Sequence, residues 1–196
     1  MKPKRAFIIH GYQGYPEEAW QPWLKAELEK RGYAVWLPAM PQPNHPVMAE
    51  WIGLLAKLVG EPDDQTVLIG HSLGVQVTLR YLEQLAGQGQ AVRKIVLIAG
   101  SFPAGMTAEQ ADERTGGDAV LRPWLMLGVD GDKVNRATGK ITVILSDNDP
   151  IIPYEQARAS FALHLRCEIL VEPGKGHFNE DDHLTDLPVA LQAVLS

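Results

Sequence analysis

The chain contains 196 residues with a formal net charge of −6 and one cysteine. A chain of this length suits a single domain over residues 1–196, and such a domain buries about 70% of the surface that its unfolded chain exposes. The lone Cys167 cannot form an internal disulfide, which favours a reducing compartment. No apolar run approaches the ~20 residues of a membrane span, and basic residues cluster only at the N-terminus. We therefore expect a cytoplasmic protein without membrane or nucleic-acid partners.

Short β-type runs alternate with helical patterns along the chain, which is typical of a parallel sheet covered by helices on both faces. Six strands are predicted, at residues 6–9, 34–37, 67–69, 94–99, 141–145 and 168–171. Five helices are predicted among them, at residues 17–30, 47–59, 73–85, 154–165 and 187–195. The predicted fold class is therefore α/β, a three-layer α/β/α sandwich with a six-stranded parallel sheet.

One connection is much longer than the others. Residues 101–139 separate the fourth and fifth predicted strands, and loops of this length are usually functional or carry short helices of their own. We expect one or two helical turns there, lying over the carboxyl ends of the strands, and no separate lid domain. The proline-rich stretch 38–46 directly follows the second strand, so we expect it to be an ordered loop on the same side of the sheet.

The sequence Gly-His-Ser-Leu-Gly at residues 70–74 lies between a predicted strand and a predicted helix. A strand that turns directly into a helix forces its central residue into a sparsely allowed conformation, and the flanking glycines remove β-carbons that would collide there. This pattern is typical of a nucleophile elbow presenting Ser72. A dinucleotide-binding fingerprint would instead need glycine at Ser72 and Val75, and no phosphate-binding loop of the Gly-x-x-x-x-Gly-Lys-Ser/Thr type occurs.

A nucleophilic serine requires a base that accepts its proton. Ligand sites of open α/β sheets lie beyond the carboxyl ends of the strands, so the base should directly follow a strand. His177 follows the last predicted strand in the glycine-rich loop 172–178, and we predict that it is the base. His10 ends the first strand and is expected beside the site. The other histidines fall in the proline-rich loop, in a predicted helix, in the elbow and downstream of His177.

The base in turn requires a carboxylate that holds its tautomer. Two candidates follow the fifth predicted strand, Asp147 and Asp149. Asp149 precedes Pro150, which biases it toward an extended conformation that projects from the turn, whereas Asp147 could bond its own backbone to make the turn. The residues favour Asp149 and leave Asp147 as the competitor. The order serine, aspartate, histidine is the order found in α/β-hydrolases.

Two backbone N–H groups are expected to stabilise the oxyanion of a tetrahedral intermediate. One is the N–H of Leu73, directly after the nucleophile, and the other should come from the loop at residues 10–14, where we nominate Tyr12. Candidates for lining the substrate pocket are the residues that adjoin these loops: His10, Gly11, Tyr12, His71, Phe102 and Phe178. This chemistry needs no metal and no cofactor, and we predict neither.

Five motifs together resemble the small lidless serine hydrolases of the YdeN and retinoblastoma-binding-protein-9 group. They are His10-Gly-Tyr-Gln13, Trp20-x-x-Trp23-Leu-x-x-x-Leu28, Gly70-His-Ser-Leu-Gly74, Asp149-Pro-x-x-Pro153 and Gly176-His-Phe178. The resemblance runs over nearly the whole chain and implies a compact α/β-hydrolase that lacks the first two strands of larger members. It implies a triad of Ser72, Asp149 and His177, which favours Asp149 over Asp147. Segment 101–139 looks longer than its equivalents in the group.

The resemblance implies hydrolysis of small carboxylic esters through an acyl-enzyme, with a small-molecule ester as the partner. Two alternatives use the same scaffold: a thioesterase or acyltransferase on the same triad, and a protein-binding module with little turnover. A protein partner is conceivable because some members of the group are known chiefly through one, although nothing in this sequence indicates it. Fold cannot decide among these functions, because one scaffold hosts all of them.

Overall fold

The computed structural model describes residues 3–196. The strands are β1 (Lys4–Ile9), β2 (Tyr33–Trp36), β3 (Thr66–His71), β4 (Lys94–Ile98), β5 (Ile141–Leu145) and β6 (Glu168–Val171). The α-helices are α1 (Gln21–Glu29), α2 (Met48–Val59), α3 (Leu73–Gly87), α4 (Ala108–Thr115), α5 (Arg122–Met126), α6 (Gly131–Arg136), α7 (Tyr154–His164) and α8 (Pro188–Leu195). A 3₁₀ turn spans Glu180–Asp182.

The six strands form one parallel sheet in the order β2-β1-β3-β4-β5-β6. Successive strand residues point to opposite faces, so Ile8 packs with α1 and α8 while Phe7 packs with α2 and α3. Strands β3, β4 and β5 are buried along their whole length because helices cover both faces. The three-layer α/β/α fold predicted from the sequence is confirmed.

All six predicted strands are present, and most of the predicted helix ends agree within two residues. The start of the first helix is wrong: α1 begins at Gln21, not at residue 17. The cause is Pro22 in the first turn, where its missing N–H is harmless. A helix continuing upstream would bring the proline ring against the carbonyl of residue 18. None of the helices in residues 3–196 combines the length and apolar character that crossing a bilayer requires.

The long connection contains three helices, α4, α5 and α6, so the expectation of one or two helical turns is wrong. Thr107 and Gln110 form a reciprocal capping box at the start of α4, Pro123 lies in the first turn of α5, and Asp130 caps α6 with two backbone bonds. Helices α4 and α5 lie over the carboxyl ends of the strands, whereas α6 packs on α3. We call residues 101–127, which include α4 and α5, the roof.

Candidate active site

Ser72 occupies a sharp turn between β3 and α3, with φ 52° and ψ −115°. Such a conformation costs a non-glycine residue about 1–3 kcal/mol and persists only where the surroundings enforce it. Close packing enforces it here. A β-carbon on Gly74 would lie 2.2 Å from the carbonyl oxygen of Ile9, and one on Gly70 would lie 2.5 Å from the carbonyl oxygen of Gly74. The Ser72 N–H donates to the Ile98 carbonyl at 2.9 Å, which ties the turn to the neighbouring strand.

Three side chains that are distant in sequence form a continuous hydrogen-bonded line. His177 Nε2 lies 2.9 Å from Ser72 Oγ, and His177 Nδ1 lies 2.9 Å from Asp149 Oδ2. Because a carboxylate only accepts, Nδ1 carries the proton and Nε2 accepts from the serine hydroxyl. The side chains of His177 and Asp149 are 6% and 2% exposed. The arrangement has the geometry of a nucleophile, a base and an orienting acid.

The loop after β5 carries both candidate carboxylates, Asp147 and Asp149. Asp149 Oδ1 accepts the N–H groups of Ile151 and Ile152 at 2.8 and 2.9 Å, which fixes the carboxylate. Asp147, the competing candidate, accepts the Gly174 N–H at 2.8 Å and does not contact His177. Asp149 therefore fixes the turn and contacts the histidine, whereas Asp147 ties this loop to residue 174 of the histidine loop.

His71 lies beneath this line and is fully enclosed. Its Nε2–H donates to the carbonyl of His177 at 2.9 Å, so it holds the backbone of the histidine loop. Burial, followed by the neighbouring His177, lowers the pKa of His71 to about 3. His71 is therefore neutral at ordinary pH, and its Nδ1 has no hydrogen-bond partner in the described chain.

A cleft of about 530 Å³ opens above Ser72. Of the predicted lining residues, the structure places Gly11, Tyr12 and His71 on its wall. The roof supplies much of the remaining wall through Arg114, Thr115, Leu121, Trp124 and Leu125. Glu18, Asn179 and Asp181 also line the cleft; burial raises the pKa of the Glu18 carboxyl, which lies within electrostatic range of His177 and Asp181.

Three predicted lining residues do not reach the cleft, and those predictions are wrong. His10 is buried behind the wall: its Nε2 accepts the Met40 N–H at 3.0 Å, its Nδ1–H donates to the Gly11 carbonyl at 2.9 Å, and burial lowers its pKa. Phe102 packs on the ring of His164, 4.5 Å between centroids. Phe178 is fully buried with α1 and α8. Each adjoins a site loop in sequence, but its side chain turns into the protein interior.

The sequence analysis missed the wall residues of the roof, of α3 and of the segments around Glu18 and Asp181. Gln76, for example, lies one helical turn after Ser72 on α3 and lines the cleft. That spacing is a usable signal, because residues four apart share a helix face. In residues 3–196, no group of three or more histidine, cysteine, aspartate or glutamate side chains is arranged to hold a metal ion.

The chain belongs to the serine hydrolase family, whose family model matches residues 6–196. It is 30% identical to YdeN of Bacillus subtilis (strain 168) over 193 residues, which cover 98% of this chain and 95% of YdeN. It is 23% identical to the rat serine hydrolase RBBP9 (Rattus norvegicus) over 184 residues, 92% of this chain and 90% of the relative. The resemblance stated from the sequence motifs is confirmed, and the chain is a hydrolase by family.

Solved structures agree with this assignment. The crystal structure of the ydeN gene product from B. subtilis superposes with a TM-score of 0.84 at 28% identity, covering 98% of this chain and 97% of that one. Est1E from Butyrivibrio proteoclasticus superposes with a TM-score of 0.72 at 21% identity, covering 98% of this chain and 86% of that one. At that identity, the likeness to Est1E shows the fold alone.

Proposed function

We propose that the protein hydrolyses small carboxylic esters, with Ser72 as nucleophile, His177 as general base and acid, and Asp149 as the orienting carboxylate. The observation that carries the proposal is the line of hydrogen bonds from Ser72 Oγ to His177 Nε2 and from His177 Nδ1 to Asp149, each with a contact of 2.9 Å. The strained backbone of Ser72 supports it, because strain of this kind clusters at functional sites.

The reaction proceeds in two halves. Ser72 Oγ attacks the ester carbonyl carbon while its proton passes to His177 Nε2, giving a tetrahedral oxyanion. The carbon–oxygen bond to the alcohol then breaks, and His177 returns the proton to the leaving oxygen. In the second half, His177 removes a proton from water, hydroxide attacks the acyl-serine, and Ser72 leaves with that proton. The products are a carboxylic acid and an alcohol.

The oxyanion is held, in this proposal, by the N–H groups of Leu73 and Tyr12. Two other amides of the loop are engaged elsewhere: the Gln13 N–H donates to the Pro43 carbonyl at 2.9 Å and the Gly14 N–H to the Gly11 carbonyl at 3.2 Å. The amides of Tyr12 and Leu73 donate to no acceptor within residues 3–196. Each such donor is typically worth ~10²–10³ in turnover.

The loop that carries Tyr12 also has the space that this role requires. Gly11 approaches the nucleophile closely, since a β-carbon there would lie 2.9 Å from the Ser72 β-carbon. Only glycine lets the chain come this near, and the close approach brings the following amide to the side of Ser72. The geometry therefore supports Tyr12 as the second donor.

A fluorophosphonate probe tests the proposal, because it phosphonylates only an activated serine. We expect stoichiometric labelling of the wild type, loss of labelling in Ser72→Ala, and full labelling in the control Ser160→Ala, whose hydroxyl lies on α7 within 3.5 Å of the Phe102 carbonyl. Mass spectrometry must place the label on Ser72 and not on Ser101, the other serine that lines the cleft. An unlabelled wild type, or a label on Ser101, would contradict the assignment.

Turnover separates ester hydrolysis from the alternatives. We expect hydrolysis of p-nitrophenyl acetate and butyrate that disappears in Ser72→Ala. A thioesterase would prefer the matched thioester, and an acyltransferase would release acyl product faster when a second alcohol is present. Probe labelling without turnover of any of these substrates would favour a binding module on a hydrolase scaffold.

A further inference from the structure

One cation stands apart on the wall of the cleft. Arg114, near the end of α4, is the only lysine or arginine among the described residues that line it. The guanidinium makes a single hydrogen bond, from Nη2 to the Ile151 carbonyl at 3.0 Å. No carboxylate of residues 3–196 lies within ion-pair distance of it.

The nearby carboxylate of Asp149 does not form an ion pair with Arg114. Asp149 attracts the guanidinium through space, but its two oxygens are already engaged by His177 and by the N–H groups of Ile151 and Ile152. Burial lowers the pKa of Arg114, which reflects the cost of holding a cation at a half-buried position. An arginine has five N–H donors in a planar fork that matches a carboxylate, and here only one of them has a partner within residues 3–196.

The neighbouring arginine of the roof differs in this respect. Arg122 lies on α5, pairs with Asp112 at 3.3 Å, and has a side chain that is 41% exposed. It does not line the cleft. Of these two arginines in the roof, Arg122 is paired with a carboxylate and lies away from the cleft. Only Arg114 presents an unpaired charge to the site.

We propose that the preferred substrates carry a carboxylate on the acyl portion, which pairs with Arg114, so that the enzyme hydrolyses half-esters of dicarboxylic acids. This inference rests on the ester hydrolysis proposed above. It deepens that proposal by naming the chemical class of the acyl group.

The carboxylates near His177 favour a substrate carboxylate on the acyl portion and not on the alcohol portion. His177 protonates the leaving oxygen, so the alcohol portion must lie on the His177 side of the cleft. Glu18 lines the cleft within electrostatic range of His177 and Asp181, and these two carboxylates would repel an anion on the leaving alcohol. The carboxylate that pairs with Arg114 therefore belongs to the part of the substrate that remains on Ser72.

The test compares matched esters of the same length. The 4-nitrophenyl half-esters of glutaric and adipic acid carry a free carboxylate, and their methyl-capped diesters are neutral. We expect the wild type to favour a half-ester over its capped counterpart in kcat/KM, after subtraction of spontaneous hydrolysis. In Arg114→Gln this ratio should fall about 10- to 100-fold, the effect of one charge-assisted pair, and mainly through KM because the contact exists before the transition state forms.

Arg122→Gln is the matched control and should leave the ratio at its wild-type value. A wild type without preference for the half-esters would overturn the inference, as would an Arg114→Gln variant that lowers both rates equally, since Arg114 would then only fasten the roof to Ile151. Probe labelling and turnover of neutral esters would continue in both cases, which separates this failure from failure of the proposed function.

A binding measurement gives the answer without turnover. Calorimetric titration of Ser72→Ala with monomethyl adipate should show saturable binding, and the same titration of the Ser72→Ala/Arg114→Gln double variant should show at least a 10-fold weaker affinity. Equal affinity of the two proteins would overturn the inference even if the enzyme proves to hydrolyse esters.

Discussion

The two sides of the cleft are held in place by different means. The floor comprises the loops at residues 10–14, 70–74, 146–153 and 172–178, and close contacts among backbone atoms and buried side chains fix it. The roof, residues 101–127, is held mainly by side chains, among them Trp124, which packs on Trp51 with ring centroids 6.2 Å apart. Arg80 of α3 donates to the carbonyls of Trp124 and Leu127 at 2.7 Å each, and the Tyr12 hydroxyl donates to Asp118 at 3.3 Å.

The floor carries the groups proposed to react, and the roof forms much of the wall that would select the substrate. The floor is tightly packed at the elbow, where one carbon added to Gly74 would meet a carbonyl oxygen. Within residues 3–196, the roof makes no hydrogen bond to the side chains of Ser72 or His177. We infer that substitutions in the floor abolish turnover or folding, whereas substitutions in the roof redirect selectivity.

The largest effect is expected at Asp149. In Asp149→Asn the amide N–H₂ would donate to His177 Nδ1, which moves the ring proton to Nε2 and prevents it from accepting the Ser72 proton. The expected loss of kcat for p-nitrophenyl acetate is about 10⁴-fold. Asp147→Asn retains an oxygen that can accept the Gly174 N–H and should lose less than about 3-fold, the equivalent of under 1 kcal/mol. Comparable activities of the two variants would break the assignment of the acid.

The next effect contrasts two glycines. Gly74→Ala places a β-carbon against the Ile9 carbonyl in the floor, and because backbone cannot move aside, the free energy of unfolding should fall by about 3 kcal/mol or more. Gly117 of the roof has φ 83° and no atom within 4 Å of a β-carbon, so Gly117→Ala should cost only the strain of a left-handed residue, about 1–2 kcal/mol. Urea unfolding measures both. Equal losses would show that the floor is no more rigid than the roof.

The same contrast explains what the sequence could predict. The floor has local signals: glycines around Ser72, Pro150 after Asp149, and a glycine-rich loop before His177. The carboxyl ends of parallel strands lie at the same edge of a sheet. Together with this rule, these signals predict that the three loops lie close together. A position next to a site residue in the sequence did not predict the direction of the side chain. Phe178 follows His177, but its side chain packs with α1 and α8 and does not face the cleft.

The roof depends on contacts that no local pattern reveals. Arg80 reaches it from a helix more than forty residues away, and its partners are backbone carbonyls, which any residue offers. The start of α4 could have been predicted from the Thr107-x-x-Gln110 capping box, but its position over the cleft could not. No local pattern around Arg114 indicates that its guanidinium lacks an ion-pair partner within residues 3–196, because that depends on the folded structure.

Acid should lower the free energy of unfolding through the floor, because the buried His71 lies there and the roof contains no histidine. The folded pKa of His71, about 3, lies below the ordinary 6.5, so the unfolded chain binds an extra proton between these values. The contribution of neutral His71 to the free energy of unfolding is fully present above pH 6.5. It declines as the pH falls, and about 2 kcal/mol is lost at pH 5. His71→Gln can still donate to the His177 carbonyl and should lose less on acidification. Urea unfolding at pH 7.5 and 5.0 tests this, and identical losses in both proteins would exclude His71 as the cause.

The smallest effect is expected where floor and roof touch. Tyr12→Phe removes the hydrogen bond to Asp118 but keeps the backbone amide of residue 12, and a partly exposed bond of this kind is worth at most about 1 kcal/mol. Amide hydrogen exchange in α4 and α5 should therefore accelerate by no more than about 5-fold, because Arg80 still holds Trp124. Exchange in β3 and the first turn of α3 should not change, since the elbow is closed by backbone contacts that Tyr12 does not share. Acceleration at the elbow as large as that in the roof would show that the two sides of the cleft move as one unit.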